Sequence, residues 1–139
     1  AVGCSDGMGF GDNTRAALIT RSLSEMSKLV LQYGGKRETL SGLSGIGDLI
    51  VTCTSVHSRN HRVGERLGKG EKIDDILSTM EMVAEGVWNS KVIHSLADKF
   101  GVEMPICELV YAICYENYNA RTAVASLMGR NLTSETFQI

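Results

Sequence analysis

Six apolar positions near the start of the chain, Ala16, Ile19, Leu23, Met26, Val30 and Tyr33, follow one another at steps of 3, 4, 3, 4 and 3 residues. Only an α-helix gathers such a series on one face, because a turn takes 3.6 residues. The spacing predicts a helix of about five turns with one buried stripe. Asp12 or Asn13 is placed to cap its start, and Gly34-Gly35 to end it. A stripe of this length needs apolar partners, so the expected architecture is a bundle with this helix at its centre.

The rest of the chain keeps the same period. Lys36 to Leu43 predicts a short helix, whereas Gly47 to Cys53 is ambiguous between strand and helix. Ser58 reads as an N-cap for a helix through Val63 and Leu67 that stops at Gly68 and Gly70. Ile73, Ile76, Leu77 and Met80 form a further stripe, and Asn89, Ile93, Leu96 and Phe100 another, closed by Gly101. Pro105 opens a helix at a position where its missing N–H costs nothing, with Ile106, Leu109, Val110 and Ile113 as the core face. Asn119 caps a last helix with Ala120, Ala123, Val124 and Leu127 inward, ending near Gly129. The first eleven residues read as a glycine-rich loop and the last eight as a frayed tail. The expectation is a single all-α domain over residues 1–139, a compact multi-helix bundle.

Composition excludes several functions. No run approaches the ~18 apolar residues of a membrane span, and no basic segment precedes an apolar one as in a signal peptide. Fourteen basic against 16 acidic side chains leave a charge of −2, which argues against nucleic acid as a partner. Cys4, Cys53, Cys107 and Cys114 lack any C-x-x-C spacing. Four small buried thiols in a reducing compartment are expected. His57, His61 and His94 share no metal-ligand spacing, and no metal site is expected.

Fifteen residues are glycine and one is proline. Gly7-x-Gly9-x-Gly11 and Gly42-x-x-Gly45-x-Gly47 resemble phosphate loops only superficially. Neither follows a buried strand in a βαβ unit, and no Walker lysine follows either. Sharp turns and close helix approach are the expected roles.

The segment from Gly47 to Asn60 carries more chemistry. If it is helical from Gly47, Asp48 and Thr52 share a face. Ser58, Arg59 and Asn60 then open the next helix, where a hydroxyl, a guanidinium and an amide join the positive end of a helix dipole. That is a good place for a phosphate. On physics alone Ser58 as a mere cap, Arg59 and Arg62 as a solvated face, and Asp48 as the cap of its own helix remain open.

Several stretches together resemble the helical domain of NAD(P)-dependent glycerol-3-phosphate dehydrogenases, in the bacterial form. They are Gly9 to Arg21, Gly42 to Leu49, Thr52-Cys53-Thr54, Ser58-Arg59-Asn60, Val83-Ala84-Glu85-Gly86 and Phe100 to Ile106, in this order over nearly the whole chain. The resemblance implies a helical domain of the 6-phosphogluconate-dehydrogenase C-terminal type, working beside an N-terminal Rossmann domain that this chain does not contain. It implies a cytoplasmic enzyme of phospholipid synthesis that interconverts dihydroxyacetone phosphate and sn-glycerol 3-phosphate with NAD or NADP. By residue match, Asp48, Thr52, Ser58, Arg59 and Asn60 are expected at the substrate, and Arg59, Val83 and Glu85 at the cofactor. The family's general acid/base lysine is expected upstream of Ala1, so the fragment alone is expected to be inactive. His61 stands where many relatives carry a second arginine. A homodimer is one expected assembly, and a stand-alone helical module for self-association or protein binding is the alternative reading.

Overall fold

The computed structural model describes residues 1–80, 82 and 84–129. Its described residues form helices without a strand: α1 (Val2–Gly7), α2 (Asp12–Gln32), α3 (Arg37–Leu40), α4 (Asp48–Thr54), α5 (Arg59–Gly68), α6 (Ile73–Ser78), α7 (Glu85–Phe100), α8 (Pro105–Tyr115) and α9 (Ala120–Gly129). A π-helical turn, Leu43–Gly47, leads directly into α4. The ambiguous Gly47–Cys53 segment is therefore helical. The expected tail, and Val83 among the expected site residues, lie outside the described residues.

The long helix α2 runs through the bundle and packs against α1, α3, α4, α7 and α8. Leu18 near its start joins Val2, Ile106 and Leu127 in one buried cluster. Leu29 near its end joins Ala97 and Met104 in another. The buried line differs from the expected stripe. Leu18, Glu25 and Leu29 are buried, while Ala16 is exposed and Tyr33 is 58% exposed. Ile19, Leu23, Met26 and Val30 lie half-buried beside that line. The expected stripe holds only apolar types, whereas the buried line passes through a charged residue, Glu25. Its N-cap is Gly11 rather than Asp12 or Asn13. Asp12 is instead the first helical residue and pairs with Arg15 at 2.8 Å.

The first eleven residues are not a loop: α1 occupies most of them. The cause is its fit to α5. A Cβ at Gly3 would lie 2.1 Å from the His61 carbonyl oxygen, and one at Gly7 2.1 Å from that of Glu65. From the other side, a Cβ at Gly64 would lie 2.9 Å from the Cys4 nitrogen, and one at Gly68 2.1 Å from the Cys4 carbonyl oxygen. Two pairs of glycines, each four apart, thus let two helix backbones touch. A helix this short is marginal alone, and packing of this kind is what holds it. The third cluster, Val63, Ile73, Ile76, Ala84 and Val87, fills the space between α5, α6 and α7.

Termination follows the expected chemistry elsewhere. Gly101 ends α7 in the left-handed conformation at φ 63°. Pro105 opens α8. The Asn119 side chain accepts the Thr122 N–H at the start of α9. No described helix is long and apolar enough to cross a membrane.

Candidate functional site

The short connection between α4 and α5 builds the site. At its end, Ser58 is the N-cap of α5, its Oγ accepting the His61 N–H at 3.2 Å. Accepting occupies a lone pair and leaves the hydroxyl hydrogen available to an outside acceptor. The first turn of α5 contains no acidic residue, so nothing there offsets the positive end of the helix dipole. Arg59 and Asn60, the first two helical residues, are exposed.

Asn60 is fixed by a residue 26 positions later. Its Oδ1 accepts the Gly86 N–H at 2.9 Å, in the first turn of α7. With the oxygen so committed, the amide NH₂ must present its donors to the surroundings. Position 86 has to be glycine for this, because a Cβ there would lie 2.7 Å from the Asn60 amide carbon. The starts of α5 and α7 are therefore joined side by side.

Between them and α4 lies an open, predominantly polar cleft of about 320 Å³. Of the expected site residues, Thr52, Ser58, Arg59, Asn60 and Glu85 all line it. Asp48 does not. It opens α4 one turn before Thr52, on the same face and exposed to solvent. The cleft has two electrostatic halves. The α5 side presents a guanidinium, a hydroxyl and a helix N-terminus, a constellation suited to an oxyanion such as phosphate. On the α7 side, the exposed Glu85 carboxylate can only accept, which suits hydroxyl or amide donors.

Two contributors are not among the expected site residues. Gly86 is one, and its place one residue into a helix is the sequence signal that points to it. His57 also lines the cleft. His61 points away from it: its Nε2 lies 2.8 Å from Asp6 Oδ2 on α1. Among the described residues no group of three or more His, Cys, Asp or Glu is placed to hold a metal ion. None of the four cysteines is paired, and burial raises the pKa of all four thiols, that of Cys107 to about 12.

An all-helical domain with a polar cleft at two abutting helix starts is the class these observations define. Residues 1–125 match the family model described as NAD-dependent glycerol-3-phosphate dehydrogenase C-terminus, and the chain belongs to that family. It is 56% identical over 129 residues to a glycerol-3-phosphate dehydrogenase [NAD(P)+] of Listeria monocytogenes, covering 93% of this chain and 38% of that protein. A protein of the same name from Solidesulfovibrio magneticus is 56% identical over 135 residues, 97% of this chain and 41% of the relative. The crystal structure of glycerol-3-phosphate dehydrogenase from Coxiella burnetii superposes with a TM-score of 0.91 at 45% identity, over 93% of this chain and 40% of that one. The chain thus spans about two fifths of the length of the relatives it matches.

Proposed function

We propose that this chain is the substrate-binding helical part of an NAD- or NADP-dependent glycerol-3-phosphate dehydrogenase, an enzyme interconverting sn-glycerol 3-phosphate and dihydroxyacetone phosphate. The observation that carries the reading is the α5 start: Ser58, Arg59 and Asn60 meet at one helix N-terminus, with Asn60 locked by Gly86. Arg59 and the helix dipole neutralise the phosphate dianion, while Ser58 and the Asn60 amide donate to its oxygens and set its orientation. Thr52, on the α4 wall, offers a hydroxyl to the glycerol portion. Asp48 accepts from a substrate hydroxyl or orients the proton-transferring group.

A nicotinamide cofactor, when bound, supplies or receives the hydride. Arg59 and Glu85 share the cleft and fit such a group from this side, the guanidinium facing its charge and the carboxylate its hydroxyls. Val83 belongs to the same proposal through its place two residues before Glu85. No lysine lines the described cleft. Proton transfer then needs a group from elsewhere, and the 139-residue polypeptide alone is expected to oxidise no NADH with dihydroxyacetone phosphate. A cytoplasmic setting and a role in phospholipid synthesis go with this reading, and unpaired thiols are compatible with it.

Titration of the isotope-labelled chain with millimolar sn-glycerol 3-phosphate tests the proposal. Amide resonances of Ser58, Asn60 and Gly86 should shift, and glycerol should not move them. Equal shifts with glycerol, or none at these residues, would remove the phosphate site.

A second reading, self-association, is favoured by exposed apolar side chains on the α4 side, Leu43 at 90% and Val56 at 75% exposure. Light scattering distinguishes a homodimer from a monomer. Monomeric behaviour across the accessible concentration range would discard it.

A further inference from the structure

Three charged or ionisable side chains from three helices, Asp6, Arg15 and His61, meet outside the lining of the cleft and take no part in the function proposed above. Asp6 of α1, 14% exposed, places Oδ2 2.8 Å from His61 Nε2 and 3.1 Å from an Arg15 guanidinium nitrogen of α2. A carboxylate can only accept, so Nε2 carries the proton of this bond. The other Asp6 oxygen is buried and has no partner among the described residues, as is Arg15 Nε. Burying such atoms costs free energy, and the arrangement persists because α1 and α5 touch backbone to backbone at Gly3, Gly7, Gly64 and Gly68. Neither helix can slide to relieve it.

His61 is the link to the cleft. Its ring is held by Asp6 and its backbone N–H by the Ser58 hydroxyl. The cap bond lies inside the first turn of α5, whereas the bond to Asp6 ties that turn, directly after Arg59 and Asn60, to α1. A roll of the turn about the helix axis would move the guanidinium and the amide together and break the Asp6–His61 bond.

We infer that Asp6 is a positioning residue for the phosphate cradle, acting through His61 to fix the roll of the α5 first turn. The inference rests on the phosphate reading of the cleft and adds a residue to it that touches no ligand.

The test measures the Kd for sn-glycerol 3-phosphate by NMR, with thermal stability recorded separately, for Arg59→Ala, Asp6→Ala, His61→Leu and His61→Arg. Asp6→Ala and His61→Leu should each weaken binding by about tenfold. His61→Arg, which keeps a donor for Asp6, should bind within about twofold of the parent. If Asp6→Ala does not fold, the contrast between His61→Leu and His61→Arg gives the same answer. Parental affinity in Asp6→Ala or His61→Leu, even with lowered stability, would overturn the inference while a weakened Arg59→Ala kept the phosphate reading. An unaffected Arg59→Ala would overturn both.

Discussion

Glu25 and Ile106 stand 81 residues apart in sequence, yet the Glu25 carboxylate accepts the Ile106 backbone N–H at 2.9 Å. It also accepts the Cys107 N–H at 3.3 Å. A side chain in the middle of α2 therefore caps α8, whose own preceding residue, Met104, offers no side-chain cap. The arrangement satisfies two of the donors that every helix start leaves over.

Removing that cap should be costly. Glu25→Ala strands two N–H groups in the interior, and about 2–4 kcal/mol of stability should be lost. Urea denaturation with an unchanged m-value is the measurement. A loss within 0.5 kcal/mol, the scale of a neutral surface change, would contradict the cap.

The same carboxylate should leave a pH signature. Burial raises its pKa above the ordinary 4.5, and the N–H donors and Lys28 pull it back only in part. A raised folded pKa means that the folded state holds the proton more tightly than the unfolded chain does. Its stabilising contribution is complete below the unfolded value and is lost as pH rises through the folded one. Glu25→Gln does not titrate, so its Tm should gain on the parent as pH climbs from 4.5 upward. A constant Tm difference across that window would refute the assignment.

The glycine contacts between α1 and α5 predict unequal costs. Gly68→Ala puts a Cβ 2.1 Å from a backbone oxygen that cannot move aside, and should cost about 3 kcal/mol or more. Gly9→Ala meets nothing within 4 Å and suffers only its positive φ of 83°, about 1–2 kcal/mol. Equal costs in chemical denaturation would show that the two backbones are not in contact.

At the site, Arg59→Ala should cost about 1.5–3 kcal/mol of phosphate-ligand binding, the range for a hydrogen bond to a charged group. Gly86→Ala should reproduce the loss seen with Asn60→Ala, because the new methyl group displaces the Asn60 amide. Calorimetric titration with sn-glycerol 3-phosphate compares them. Parental binding by Gly86→Ala would break the link between α7 and the cradle.

The four thiols should be unreactive. Each is raised by burial, and the Glu25 carboxylate beside Cys107 adds to the effect there. Iodoacetamide at neutral pH should label none of them at a rate comparable to the denatured chain. Rapid labelling of any one would mean that its surroundings open readily.

Helices were legible in the sequence wherever a short-range rule governs them. Pro105, Gly101, Ser58 and Asn119 mark ends through local chemistry and were read correctly. So was the helix start carrying Ser58, Arg59 and Asn60, because capping needs only neighbours in sequence. The pieces that escaped depend on distant partners. Nothing local to Val2–Gly7 announces a helix, since its glycines make sense only against Gly64 and Gly68. Glu25 carries no local signal of burial, because its partner is the backbone of α8. His61 likewise gives no local sign of its partner, because only the approach of α1 turns its ring toward Asp6.

The backbone contact between α1 and α5 also has a mechanical consequence. Two helices separated by side chains can shear, since rotamers yield under load. Two helices in direct main-chain contact at Gly3, Gly7, Gly64 and Gly68 have no such compliant layer. They form a stiff strut with Ser58, Arg59 and Asn60 at one end of α5. A tilt of α1 would therefore be transmitted to Arg59 and Asn60 almost undamped, turning the start of α5 without bending it.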